Sequence, residues 1–303
     1  MTQETTAETG ARRGFRLHNI AVPARPLEAA LYLVATPIGN LGDITLRALE
    51  TLAGADVLAC EDTRVTRVLL DRYGIQNRPF AYHEHNADEA GPRLLLALEA
   101  GKSVALVSDA GTPLVSDPGY RLAQQAIEAG YRVVPIPGAS APLAALVGSG
   151  LPNDAFLFAG FLPTKDKARR DRLAEFANVP ATLLFFESPH RIGATLLAAA
   201  EVLGGRQASV CRELTKTYEE FRRGTLAELA AHYEERDNVK GEIVLVIGPP
   251  KDEPASETDV EAVLADLSKA LPTARAATEA ARLTGLPRKV LYQKLLDMKA
   301  ADG

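Results

Sequence analysis

Residues 104–119 read Val-Ala-Leu-Val-Ser-Asp-Ala-Gly-Thr-Pro-Leu-Val-Ser-Asp-Pro-Gly, and this run decides the fold. Four apolar residues, Val104-Ala105-Leu106-Val107, have the length and character of a strand buried on both faces. Behind them, hydroxyls at Ser108, Thr112 and Ser116, acids at Asp109 and Asp117, and Gly111, Pro113, Pro118 and Gly119 make a turn-rich loop. In open α/β sheets, ligands bind outside the carboxyl ends of strands, so this loop is a candidate small-molecule site.

Working outward, the same rhythm repeats. Strand patterns at 31–35, 56–60, 80–82, 103–107 and 132–136 alternate with helical patterns at 45–53, 63–73, 89–99 and 120–129. Such alternation predicts a mostly parallel sheet flanked by helices. A second α/β unit begins near Leu151-Pro152, with apolar runs at 156–160, 182–186, 208–212 and 242–247 and helices expected at 166–177, 191–203 and 226–235. The predicted organisation is a flexible extension over 1–29, α/β domains over 30–150 and 151–250, a linker over 251–257 and a small basic helical domain over 258–303. Within the last, helices over 274–283 and 288–298 around Thr284-Gly285-Leu286-Pro287 are compatible with a helix-turn-helix.

The chain has 303 residues, 47% hydrophobic and 24% charged, with a formal net charge of -5. Global charge therefore offers no attraction to nucleic acid, and a polyanionic partner must be met by local basic patches. Such patches exist at 165–172 and in the tail. Cys60 and Cys211 each end an apolar run and read as reduced core thiols of a cytoplasmic protein. There is no signal-peptide core, and no apolar segment approaches the ~18 residues that span a bilayer.

Two more loops follow strand ends. Thr36-Pro37-Ile38-Gly39-Asn40-Leu41-Gly42-Asp43-Ile44-Thr45 lacks the third glycine of a dinucleotide fingerprint and the Gly-Lys-Ser/Thr of a P-loop, while Asp43 or Thr45 can cap the next helix. Pro137-Gly138-Ala139-Ser140-Ala141 opens a helix and can offer backbone N–H groups to a ligand.

These three loops, together with Tyr82-His83-Glu84-His85-Asn86, Glu187-Ser188-Pro189-His190-Arg191 and Arg212-Glu213-Leu214-Thr215-Lys216, resemble in order the tetrapyrrole methylases, and within them the branch that acts on ribosomal RNA. The resemblance covers about 31–248 plus the tail. It implies two α/β domains with S-adenosylmethionine in the interdomain cleft, a homodimer, and 2'-O-methylation of a cytidine ribose in 16S rRNA or the 30S subunit, with no metal and no membrane. Carried over by position, Pro37, Asp109, Ala110, Gly111, Thr112, Val115, Ser140 and Ala141 face the cofactor from the first domain, and Phe186, Gly241 and Glu242 from the second. The family commonly has Pro-Gly-Pro where this chain has Pro137-Gly138-Ala139, which loosens the loop without removing a functional side chain.

Catalytic candidates are the titratable members of the second-domain motifs: Glu187, His190, Glu213 and Lys216. Substrate contacts are expected from His83, His85, Asn86, Arg191 and Arg212, and from Lys165, Lys167, Arg169 and Arg170 as a phosphate-binding strip. Each has a plainer reading. Glu187 with Arg191, and Arg212 with Glu213, can be ion pairs; Asp109 and Asp117 can brace their own loop; the 165–172 run can be a solvated helix face. Strand alternation would put His83 and His85 on one face, yet no third ligand lies nearby for a metal. Two other functions are compatible with the fold: C-methylation of a cobalamin or sirohaem precursor, and non-catalytic RNA binding. The second-domain motifs and basic tail favour the RNA enzyme over the first, and the intact cofactor loops oppose the second.

Overall fold

The computed structural model describes residues 13–116, 119–234, 239–250, 257–284 and 286–301. Residues 1–249 form one compact unit and 250–303 another. Residues 251–256 of the expected linker and Asp117 lie outside the described residues, and Glu257, expected to end the linker, opens a helix instead.

The first unit opens with a hairpin, β1 (Gly14–Leu17) and β2 (Ile20–Pro23). This corrects the expectation of a flexible extension for the part from Arg13 onward. Phe15 is buried against the Leu49 and Leu52 side of the first core, and Arg13 reaches the carbonyl of Gly54 and the carboxylate of Asp56. Scattered arginines hid a strand whose one large apolar residue is its anchor.

The first sheet follows: β3 (Leu31–Val34), α1 (Leu46–Gly54), β4 (Val57–Cys60), α2 (Thr63–Arg72), β5 (Pro79–Ala81), α3 (Ala87–Glu99), β6 (Val104–Val107), α4 (Tyr120–Glu128), β7 (Val133–Ile136) and α5 (Ala141–Ser149). Its strands are all parallel, in the order β5-β4-β6-β3-β7. Burial explains the continuous apolar runs. In β6, Ala105 and Val107 pack with α1 and α2, whereas Val104 and Leu106 pack with α3 and α4. Thr45 caps α1, its hydroxyl accepting the Ala48 N–H at 3.1 Å.

The second sheet comprises β8 (Phe156–Phe161), β9 (Thr182–Glu187), β10 (Gln207–Arg212), β11 (Glu220–Thr225) and β12 (Ile243–Ile247), with α6 (Asp166–Glu175), α7 (Ile192–Leu203) and α8 (Leu226–Glu234) between them. Its order is β11-β10-β12-β9-β8, and only β8 and β9 run parallel. The sequence pattern did not reveal β11. It is an edge strand carrying Glu220, Arg222 and Arg223, so it lacks the apolar run of a central strand. One face of this sheet buries α6, α7 and α8 around Phe185 and Leu245. The other receives α5 through Ala145 and Leu146, which pack with Leu184, Cys211, Val244 and Val246.

The second unit contains α9 (Glu257–Ala270), α10 (Thr273–Thr284) and α11 (Arg288–Ala301) around Leu264, Ala277, Leu291 and Leu295. Helices α10 and α11 stand where the sequence pattern expected two short helices.

Phe15→Ala should destabilise the first unit by about 3 kcal/mol through the cavity it leaves, seen as a lower midpoint in equilibrium urea unfolding. An unchanged midpoint would mean that the hairpin contributes no core.

Candidate functional site

The loops after β3, β6 and β7 are joined by short bonds. Thr36 and Gly111 exchange backbone bonds, Thr36 N–H to Gly111 O at 2.8 Å and Gly111 N–H to Thr36 O at 3.1 Å. The hydroxyl of Thr112 donates to Ala139 O at 3.3 Å, tying the second loop to the third. Asp109 accepts the Asp62 N–H at 2.9 Å, and Asp62 caps α2 by accepting the Arg64 N–H at 2.8 Å. Hydrogen bonds from Arg64 hold the Asp62 carboxyl down at about 2. Asp109 thus fixes where α2 starts.

Between the two sheets lies a cleft of about 360 Å³. Ala110, Gly111, Thr112, Val115, Ser140, Ala141, Phe186, Gly241 and Glu242 line it, joined by Ile38, Pro142, Phe161, Cys211, Leu214, Ile243 and Val244. None of the latter was expected to line the site: Cys211 reads as a core thiol, and Phe161, Ile243 and Val244, apolar residues at strand ends, also look like core. Pro37 and Asp109 lie instead beside an adjoining cavity, whose walls share Ile38, Ala110 and Glu242 with the first. Burial lifts the Cys211 thiol to about 11, so it is a neutral wall residue.

The cleft can hold a nucleoside-bearing amino acid. Its walls are largely apolar, which suits a base, and α5 enters it with no side-chain cap: Ser140 makes no capping bond, and Pro142 in the first turn carries no N–H. Unspent amides at a helix N-terminus suit a carboxylate. Among the described residues, no three His, Cys, Asp or Glu side chains converge as a metal-holding group.

The second sheet contributes a charged cluster at the cleft edge. Lys216 Nζ donates to Glu213 Oε1 at 2.9 Å and to Glu242 Oε2 at 3.0 Å. Glu213 Oε1 also accepts the Glu242 N–H at 3.0 Å. Burial pulls the Lys216 ammonium down, but the two carboxylate bonds outweigh it and hold it above the ordinary lysine value. The bond from Lys216 in turn holds Glu213 below the usual carboxylate range.

Close approach fixes this cluster against the first loop. A Cβ on Gly39 would stand 2.5 Å from Lys216 Cγ, and one on Gly241 would stand 2.4 Å from Glu213 Cγ. The Asn40 N–H donates to Thr215 Oγ1 at 3.1 Å. Glu213 and Thr215 both hold left-handed backbone conformations, φ 51° and 65°, as do Leu114 and Ser116 across the cleft at 71° and 64°. Strain of this kind collects at functional loops.

The other sequence candidates divide between the cleft wall and places away from it. The buried Glu187 carboxylate accepts the Ser188 N–H and the Thr195 hydroxyl, both at 2.7 Å, and pairs with Arg191 at 3.3 Å. Arg191 also donates to the carbonyls of Leu162 and Pro163. Glu187 lines the cleft, but its oxygens are engaged in bracing the β9–α7 turn. His190 is exposed on that turn and lines neither cavity. Arg212 pairs with Glu220, not with Glu213, and Arg222 joins the same carboxylate. Burial raises Glu220, yet the two arginines outweigh it and leave it lowered.

The histidine motif is a turn and not a strand, because β5 ends at Ala81. The Asn86 side chain accepts the His83 N–H and donates to Ala81 O, both bonds holding that turn, while the His83 and His85 rings meet edge-on at 6.0 Å. None of the three lines either cavity. The 165–172 strip is internally paired: Arg169 and Arg170 with Asp166, Arg170 also with Glu201, and Lys167 with Asp171. Arg169 is buried, which removes it from any phosphate surface. Lys165 is exposed at the start of α6.

Residues 30–230 match the Tetrapyrrole (Corrin/Porphyrin) Methylases, and residues 254–299 match the RsmI C-terminal HTH domain. A relative from Mesorhizobium japonicum, named ribosomal RNA small subunit methyltransferase I, is 62% identical over 93% of this chain and 96% of its own. A protein of the same name from Vibrio cholerae is 49% identical over 87% and 93%. The solved uroporphyrin-III C-methyltransferase of Thermus thermophilus, complexed with S-adenosylhomocysteine, superposes with a TM-score of 0.51 at 21% identity, covering 72% of this chain and 97% of that one, which shows the fold.

Glu187→Ala should cost about 3 kcal/mol in urea unfolding, since it strands Arg191 and the Thr195 hydroxyl in a buried turn. The Lys216 cluster gives a pH prediction. Glu213, lowered, stabilises above 4.5 and loses that contribution as pH falls through its folded value; Lys216, raised, stabilises below 10.5 and loses it as pH rises through its own. Glu213 and Lys216 should both stay ionised from about pH 5 to 10. An NMR titration in which the Lys216 ammonium loses its proton with a midpoint below pH 10.5 would contradict this.

Proposed function

We propose, from the premise that the chain belongs to the tetrapyrrole (corrin/porphyrin) methylases and to their ribosomal RNA small subunit methyltransferase I branch, that it methylates the 2'-hydroxyl of a cytidine ribose in 16S rRNA. The observation that carries this reading is an apolar cleft with an uncapped helix N-terminus on one side and the Glu213–Lys216–Glu242 cluster on the other. S-adenosylmethionine, when bound, supplies a methyl group made electrophilic by a sulfonium.

The chain's residues then bind, orient and exclude water. Ser140 and Ala141 present amides to a carboxylate, Val115, Phe186 and Leu214 give apolar walls, and Gly111 lets the backbone come close. With the donor bound, the 2'-oxygen would bond the methyl carbon as the carbon–sulfur bond breaks, S-adenosylhomocysteine leaving and the hydroxyl proton being released to solvent; the developing oxyanion and the sulfonium would cancel charge, so an aligned, water-poor pocket would supply much of the acceleration. Lys216 stays protonated at neutral pH, so it cannot accept the hydroxyl proton; it orients Glu242 and offers positive charge to developing negative charge on oxygen. Glu187 and His190 are assigned no chemical role.

The substrate is the small ribosomal subunit or its RNA, and the enzyme works in the cytoplasm where that RNA is found. Exposed Arg288 and Lys289 on α11 supply a further cationic surface for it. The enzyme acts as a homodimer. Its support is the apolar pairs left uncovered at helical spacing, Leu143 with Val147 on α5 and Tyr120 with Ile127 on α4.

Incubated with methyl-labelled S-adenosylmethionine and small subunits from a strain lacking the activity, the protein should place label on a cytidine ribose. Mass spectrometry of nuclease digests reads the position, and label on uroporphyrinogen instead would overturn the assignment. Lys216→Ala should lower kcat roughly 100-fold while calorimetry shows cofactor affinity kept. Unchanged turnover would return Lys216 to a purely structural role.

A further inference from the structure

A second cavity lies beside the cofactor cleft. It measures about 350 Å³ and lies between the loop after β3 and helix α2. Pro37, Ile38, Leu41, Val65, Val68 and Leu69 give it apolar walls, while Asp109, Lys216 and Glu242 stand at its polar side.

Helix α2 carries an unusual surface here. Val65 and Val68 are 44% and 60% exposed, although β-branched residues gain nothing on a water-facing helix. Arg64, Val68 and Arg72 follow one another at a spacing of four, so the apolar patch is flanked by two exposed guanidinium groups, with Asp71 beside the second. Arg64 is paired with Asp62 yet its side chain remains 89% exposed. Apolar contact area between cations is the composition that single-stranded nucleic acid selects, base against apolar surface and phosphate against charge.

We propose that this cavity seats the target nucleoside, its base against Val65 and Val68 and its ribose toward Glu242, with Arg64 and Arg72 taking the flanking phosphates. The proposal rests on the RNA-methyltransferase reading. It follows from connectivity: the two cavities share walls at Ile38, Ala110 and Glu242. A nucleoside held in this cavity meets the cofactor cleft across that shared edge. With the base held at the α2 end, the ribose is the part brought to the edge. The seat therefore selects a sugar hydroxyl over a ring atom, and Glu242, held by Lys216 through one oxygen, is placed to position that hydroxyl.

Val68→Trp fills the seat from an exposed position, so it should leave the thermal midpoint unchanged. Its KM for small ribosomal subunits should rise by roughly tenfold or more, the loss of about one well-packed base, with kcat and calorimetric cofactor affinity kept. A photoreactive benzoylphenylalanine at position 68, irradiated with the same subunits and S-adenosylhomocysteine, should crosslink at or beside the nucleotide that the wild-type protein methylates. Wild-type methylation with an unchanged Val68→Trp KM, or a crosslink far from the methylated nucleotide, overturns the seat alone. Absence of any methylation of small-subunit RNA by the wild-type protein overturns the parent reading, and the seat with it.

Discussion

Helix α5 follows β7 of the first sheet in the chain but buries its apolar side on the second. Ala145 and Leu146 pack against Leu184, Val244 and Val246, and Arg223 from edge strand β11 bonds the carbonyls of Gly148 and Ser149 at the far end of the helix. The same helix delivers Ser140 and Ala141 to the cleft at its start. Anything that shifts the second sheet therefore shifts the start of α5 that lines the cleft. The two sheets form one compact unit for this reason, and the cleft between them is a product of core packing rather than of loop placement alone.

Much of this was legible in sequence because parallel sheets announce themselves. Val104-Ala105-Leu106-Val107 is apolar throughout since alternate residues meet helices on opposite faces, and turn residues follow where ligands sit. Nine of the eleven residues that the resemblance pointed to for the cofactor line one cleft. What stayed hidden had physical reasons. β11 is a charged edge strand, the hairpin at 14–23 hangs on Phe15, and the antiparallel pairing of β12 with β9 and β10 depends on contacts between distant segments.

Residue type was a weaker guide to role than to place. Glu187 and Asn86 are polar residues in motif loops, and both are occupied in holding those loops. The basic run on α6 looked like a surface for RNA, but its acids stand three or four residues from its cations and pair with them. Conversely, α2 attracted no notice from its sequence, since two valines in a helical pattern look like core. Exposure distinguishes them, and exposure is a tertiary property.

Four of the five described non-glycine residues in left-handed conformations, Leu114 and Ser116 on one bank of the cleft and Glu213 and Thr215 on the other, bear on how this protein can adapt. Each conformation costs about 1 kcal/mol relative to a relaxed backbone. Glycine would relieve that cost, but would also enlarge the set of shapes each loop can visit before folding. Hardening against heat and keeping the cleft in one shape thus pull these positions in opposite directions. A lineage moving to hotter surroundings would gain stability more readily in the distant helices than on the banks of its own active cleft.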